Sequence, residues 1–137
     1  MTQIHASTIA LAGRGLLILG PAGAGKSSLA LQMIAVGAEL VADDRTDLRR
    51  EGDGVVGSCP EPLRGRIEAR GVGILRCAAH GPVRLAAVVD LGRSEDARLP
   101  QSRSYDLLGL ALPLVLGPYR PHLYAALRQL LLTERVA

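Results

Sequence analysis

Eight residues constrain this chain more than any others: Gly20-Pro21-Ala22-Gly23-Ala24-Gly25-Lys26-Ser27 fits the pattern G-x-x-x-x-G-K-[ST]. The apolar run 16–19 before it reads as a strand, and residues 28–36 after it carry helical spacing until Gly37 stops them. A strand, a glycine-rich turn and a helix in that order make a loop whose backbone amides converge on phosphate oxygens. The positive end of the helix dipole falls at the same place. In such a loop Lys26 holds the β- and γ-phosphates and the Ser27 hydroxyl faces Mg²⁺. Lys26 is also the only lysine among the sixteen Lys and Arg residues of the chain. A sequence so biased towards arginine keeps one compact, flexible ammonium at the position where a guanidinium fork does not fit the loop.

The 137 residues are enough for one domain, 1–137, with a real core. They leave no room for an elaborate second domain. With no Phe or Trp and three Tyr, that core is built from Leu, Val, Ile and Ala, which suits an α/β domain. It offers no aromatic platform for stacking bases, which argues against a single-stranded nucleic-acid binder. The formal charge of +3 is carried by dispersed arginines, a mild bias towards acidic or phosphorylated partners. Cys59 and Cys77 stand apart from any C-x-x-C or His/Cys cluster, and are expected to be free thiols of a cytoplasmic protein. No signal-like segment opens the chain, and Gly and Pro break the apolar runs well short of a membrane span.

Residues 4–11 alternate loosely and, through Gly13-Arg14-Gly15, read as a hairpin feeding the phosphate loop, with His5 on its first strand. Glu39–Ala42 reads as a short strand ending in Asp43-Asp44, two carboxylates that point to opposite faces, so that one of them faces a bound phosphate. Residues 46–50 and 55–58 flank the hairpin turn Gly52-Asp53-Gly54, which makes this region partly antiparallel. Residues 65–75 are glycine-rich, with Glu68 and Arg70 between small or apolar neighbours, either a solvated turn or a close backbone approach. Residues 83–90 form an apolar strand ending in Asp90, which in many phosphate-loop enzymes is an outer Mg²⁺ ligand. Residues 92–104 turn polar and read as a functional or mobile loop. A strand at 110–116 and a helix with Leu123, Tyr124, Leu127, Leu130 and Leu131 on one face complete the chain.

These pieces in this order resemble the catalytic domain of HPr kinase/phosphorylase, a bacterial protein-serine kinase with a phosphate loop. The resemblance is carried by His5-Ala6-Ser7, by Gly20 to Ser27, by Leu40-Val41-Ala42-Asp43-Asp44-Arg45 and by Ile67-Glu68-Ala69-Arg70-Gly71-Val72-Gly73-Ile74. It implies an α/β fold with a mixed sheet, a phosphate-loop helix and a C-terminal helix. It implies a Mg²⁺- and ATP-dependent kinase acting on a serine of an HPr-type phosphocarrier, with Lys26 on the phosphates and Ser27 and Glu68 as Mg²⁺ ligands. Asp44 matches the acid that takes the proton of the target serine, His5 an active-site histidine, and Asp43 a helper or structural carboxylate. Arg98, in Asp96-Ala97-Arg98-Leu99-Pro100, is favoured for the family's loop arginine over an alignment through Tyr105-Asp106-Leu107-Leu108-Gly109, which has none. The resemblance demotes Asp90.

Three departures narrow the expectation. With the phosphate loop beginning at Gly20, the family's N-terminal domain is expected to be missing, as in the short members typical of alphaproteobacteria, and the loop after Asp90 reads as shortened. The Pro-Gly-Arg-Asn piece linked to dephosphorylation survives only as Gly117-Pro118-Tyr119-Arg120, which leaves the phosphorylase activity open. The hexamer of the longer enzymes does not carry over automatically, so a homo-oligomer stays an open alternative. Two other functions compete: a small-molecule kinase using Asp90, and a nucleotide-binding regulatory module that has lost catalysis.

Overall fold

The computed structural model describes residues 2–137. In chain order its elements are β1 (Thr2–Ile4), β2 (Ser7–Leu11), β3 (Arg14–Leu19), α1 (Lys26–Ala35), β4 (Glu39–Ala42), β5 (Thr46–Glu51), β6 (Gly54–Ser58), β7 (Arg66–Ala69), β8 (Gly73–Arg76), β9 (Val83–Ser94), β10 (Ser104–Leu107), β11 (Leu110–Gly117) and α2 (Leu123–Leu132). The larger sheet is mixed, running β1-β5-β6-β9-β3-β2-β4, with β11 on β9 and β10 on β11. Strands β3, β9 and β11 are parallel, and the other pairings are antiparallel. The carboxyl ends of the three parallel strands therefore lie together, the edge at which α/β sheets receive ligands.

Strand β3 is apolar without alternation because both of its faces are covered. Leu16 and Ile18 pack with Leu29 and Met33 of α1 and with Leu127 and Leu131 of α2. Leu17, pointing the other way, shares a core with Val88 of β9, Leu48 of β5, Val55 of β6 and Leu107 of β10. Helix α1 ends where Gly37 takes φ 110°, with its N–H on the Ile34 carbonyl and that of Ala38 on Met33. The end of α2 is held from the start of β3: Arg14 donates to the carbonyls of Leu131 (2.7 Å) and Thr133 (3.2 Å). Among the described residues no helix is long and apolar enough to cross a membrane.

The structure departs from the sequence reading in three places. The opening strand breaks at His5-Ala6: β1 pairs with β5, whereas β2 pairs with β3 and β4, so His5 sits in a bend between partners and not on a strand. The polar segment expected at 92–104 shrinks to 95–103, because β9 runs on to Ser94 against Gly117 of β11 and Ser104 begins β10. The glycine-rich stretch is a hairpin, β7–β8, forming its own two-stranded sheet. Cys59 and Cys77 are both free and half-buried, and burial pushes both thiols up from their ordinary range.

Candidate functional site

Gly25 caps α1 in a left-handed conformation, φ 104°, that an L side chain rarely adopts. The ring of Tyr119 lies against it, so that a Cβ on Gly25 would stand 3.0 Å from the ring. No side chain caps the helix, and its first turn holds no acid. The first amides of α1 and the positive dipole end are thus left for an anion. Lys26 is buried, its Nζ donating to the carbonyls of Gly20 (2.7 Å) and Pro21 (3.2 Å).

Around this loop opens a cavity of about 430 Å³. One wall is the loop and the start of α1: Ala22, Gly23, Gly25, Lys26, Ser27 and Ser28. The other wall comes from two separate elements, Asp44 from the turn after β4 and Glu68 and Arg70 from the β7–β8 hairpin. Alternation along β7 explains that placement: Ile67 and Ala69 are buried towards the core, so Glu68 faces out.

The two walls are tied together by Asp43. Its Oδ1 accepts hydrogen bonds from the Ser27 hydroxyl at 2.7 Å and the Ser7 hydroxyl at 2.8 Å, and its Oδ2 accepts one from the Glu68 N–H at 3.0 Å. The carboxylate is nearly buried, and these donors take the place of its lost hydration. Asp43 thereby sets the phosphate loop, β2 and β7 in one frame. Asp44 turns the opposite way with φ 70°, its N–H donating to the same Ser7 oxygen at 3.2 Å. Its carboxylate lies 3.4 Å from His5 Nε2, both side chains more than half exposed.

The structure thus brings Gly23, Gly25, Lys26, Ser27, Asp44 and Glu68 to one cavity, with His5 beside Asp44. Gly20 and Pro21 supply the carbonyls under Lys26, and the Ala24 N–H closes the turn on the Pro21 carbonyl at 3.1 Å. Arg98 is not on the cavity wall; it lies exposed on the 95–103 segment. Asp90 is absent from the wall as well, its Oδ1 accepting the Gly92 N–H at 2.9 Å, which leaves nothing to favour it as a metal-side acid. The anchoring hydrogen bonds of Asp43 suit the helper or structural carboxylate that the resemblance implies, whereas Arg70 has no role in the sequence reading. Arg70 follows the same two-residue alternation that exposes Glu68, a signal present in the sequence. A second cavity of about 470 Å³, between β11 and the end of α2, is lined by Arg14, Arg103 and Arg135, whose guanidiniums are already engaged by Leu131 and Thr133 carbonyls, by Glu95, and by Ala137 and Pro100 carbonyls.

Comparison with known proteins finds relatives of one family and one fold. The family model described as the HPr Serine kinase C-terminal domain matches residues 1–87. The HPr kinase/phosphorylase of Bordetella pertussis is 38% identical over 124 residues, covering 81% of this chain and 40% of its own. That of Cupriavidus metallidurans is 39% identical over 124 residues, covering 82% of this chain and 38% of its own. The chain spans about two fifths of the length of these curated relatives. The solved Hpr(Ser) kinase/phosphatase from Coxiella burnetii superposes with a TM-score of 0.82 at 30% identity, covering 95% of this chain and 88% of that one.

Proposed function

The chain belongs to the family of HPr serine kinase C-terminal domains, and from that premise we propose that residues 1–137 form a catalytic unit that transfers the terminal phosphoryl group of ATP to a serine of an HPr-type phosphocarrier. The observation that carries this reading is the shared cavity, with a phosphate loop on one wall and the Asp44 carboxylate on the other. A nucleotide site alone needs the first wall; the second supplies a base where an incoming hydroxyl would enter.

The serine hydroxyl oxygen attacks the terminal phosphorus, and the bond from that phosphorus to the bridging oxygen of the diphosphate breaks. The serine proton passes to an Asp44 oxygen, and ADP leaves. Asp44 is held for this by its N–H on Ser7 and by His5 at 3.4 Å from its carboxylate. The loop amides and the Lys26 ammonium meet the negative charge on the leaving side. Ser27 and Glu68 would hold Mg²⁺, two hard oxygen donors facing one cavity, which suits a cation that takes few protein ligands beside phosphate oxygens. When bound, that ion supplies further neutralisation of the phosphate charge. Arg98, exposed beyond the cavity, is assigned to the surface that meets the carrier.

The test is single-turnover transfer from ATP labelled in its terminal phosphate, comparing wild type with Asp44→Asn at matched nucleotide occupancy. The reading expects Asp44→Asn to keep nucleotide binding and to lose transfer by about a hundredfold or more. Transfer by Asp44→Asn at the wild-type rate removes Asp44 from the role of base.

A further inference from the structure

The cavity walls carry four ionised side chains, Lys26 and Arg70 against Asp44 and Glu68. Without Arg70, two carboxylates would stand against one ammonium in a site whose ligand is itself a polyanion. That ammonium is partly committed: of the three N–H bonds of Lys26, two are given to the carbonyls of Gly20 and Pro21. A Mg²⁺ held by Ser27 and Glu68 would offset part of that negative charge, but among the described residues the only cationic side chain on the hairpin wall is Arg70, and Arg98 is not on it.

Arg70 has the right place and is uncommitted. It opens the turn between β7 and β8, a turn closed by the Val72 N–H on the Ala69 carbonyl at 2.9 Å, with Gly71 at φ 82°. Ala69 is buried, so Arg70 returns to the face of Glu68. Arg14, Arg103, Arg120 and Arg128 are each held by a carbonyl or a carboxylate. The Arg70 guanidinium has no such partner among the described residues, though it lines the most acidic wall of the cavity.

We propose that Arg70 is the second cationic side chain of the site, and that its guanidinium fork grips the terminal phosphoryl group of the bound nucleoside triphosphate from the hairpin wall. This rests on the function proposed above. The loop amides and the helix N-terminus take the inner phosphates. The outermost group faces the wall that carries Asp44, because the base must stand next to the phosphorus that its serine attacks. A planar fork with several N–H donors spans two oxygens of that group at once, and it strengthens as charge spreads over them during transfer.

The test is calorimetric titration of wild type, Arg70→Gln, Arg70→Lys and Lys26→Ala, each in Mg²⁺ buffer, with ADP and with the non-hydrolysable β,γ-imido analogue of ATP. Arg70→Gln is expected to weaken the imido analogue about tenfold to a hundredfold, the range for loss of a charge-assisted contact, while ADP binding stays within about twofold. Arg70→Lys falls between, retaining charge without the fork. Arg70 is exposed in a turn, so unchanged melting of the variants certifies their fold. Equal weakening of both nucleotides, or no weakening of either, overturns the assignment to Arg70. If Lys26→Ala abolishes both nucleotides while Arg70→Gln shows no selectivity, only this inference falls. If wild type binds neither nucleotide, the proposed function falls with it.

Discussion

The Ser27 hydroxyl donates to Asp43 Oδ1 across 2.7 Å, which joins the last residue of the phosphate loop to a strand end sixteen residues away. The same carboxylate holds Ser7 and the Glu68 N–H, so the two walls of the cavity share one anchor. An asparagine has one acceptor where this aspartate uses two. In Asp43→Asn the new NH₂ group must face either the Glu68 N–H or the two hydroxyls.

Asp43→Asn is therefore expected to destabilise the fold by about 1–3 kcal/mol, the cost of leaving a buried donor without its acceptor. Urea denaturation followed by circular dichroism measures this. A midpoint equal to that of wild type would mean that Asp43 is not the anchor of the two walls. Because the side chain also sets the position of Ser27 and Glu68, nucleotide affinity is expected to fall in the same variant.

A second prediction concerns the loop itself. Gly25→Ala asks an L residue to hold φ 104° and puts a methyl group 3.0 Å from the Tyr119 ring. Nucleotide affinity should fall by tenfold or more, since left-handed strain costs about 1–3 kcal/mol and the loop must hold its shape to bind. Tyr119→Ala added to Gly25→Ala relieves the crowding and leaves the strain, so it should restore affinity only partly. Full recovery in the double variant would show that backbone strain at Gly25 is unimportant.

How much of this was legible beforehand follows from how local each feature is. The phosphate loop, its flanking strand and helix and the Gly37 stop rest on contiguous residues whose spacing and glycines speak for themselves. The mixed α/β sheet with two helices, and the family resemblance, agree with the structure and with the comparisons. Asp43 was harder, because adjacency with Asp44 says that the two diverge but not which one turns inward. That is decided by Ser7, thirty-six positions earlier in the chain. The extension of β9 to Ser94 was hidden for a similar reason: its polar end pairs with Gly117, and polar composition alone reads as loop. The bend at His5 depends on which strands compete for β1 and β2, a property of the whole sheet.

The segment 95–103 is closed at its base by an ion pair between Glu95 and Arg103. Arg103 donates to both carboxylate oxygens of Glu95, at 2.9 and 3.1 Å, and these bonds hold the Glu95 carboxyl below its ordinary value of 4.5. A carboxyl with a depressed value in the folded protein contributes its stability above the ordinary value and loses it as the pH falls through the depressed one. The closure at the base of 95–103 is thus expected to be intact at neutral pH and to be lost as the pH falls through the depressed Glu95 value, which lies below 4.5. Glu95→Gln should open it at neutral pH. Amide exchange of residues 96–102 reports this. Equal protection in Glu95→Gln and wild type at pH 7 would show that the ion pair does not close the segment.

The central claim is phosphoryl transfer to a serine of a carrier protein. The direct measurement is the intact mass of an HPr-type carrier after incubation with this protein, ATP and Mg²⁺, with Lys26→Ala in parallel and fragment mapping of the product. The account predicts one added phosphate on a carrier serine with wild type and none with Lys26→Ala. A carrier that keeps its unmodified mass while the protein binds ATP tightly would contradict it, and would leave a nucleotide-binding module in place of a kinase.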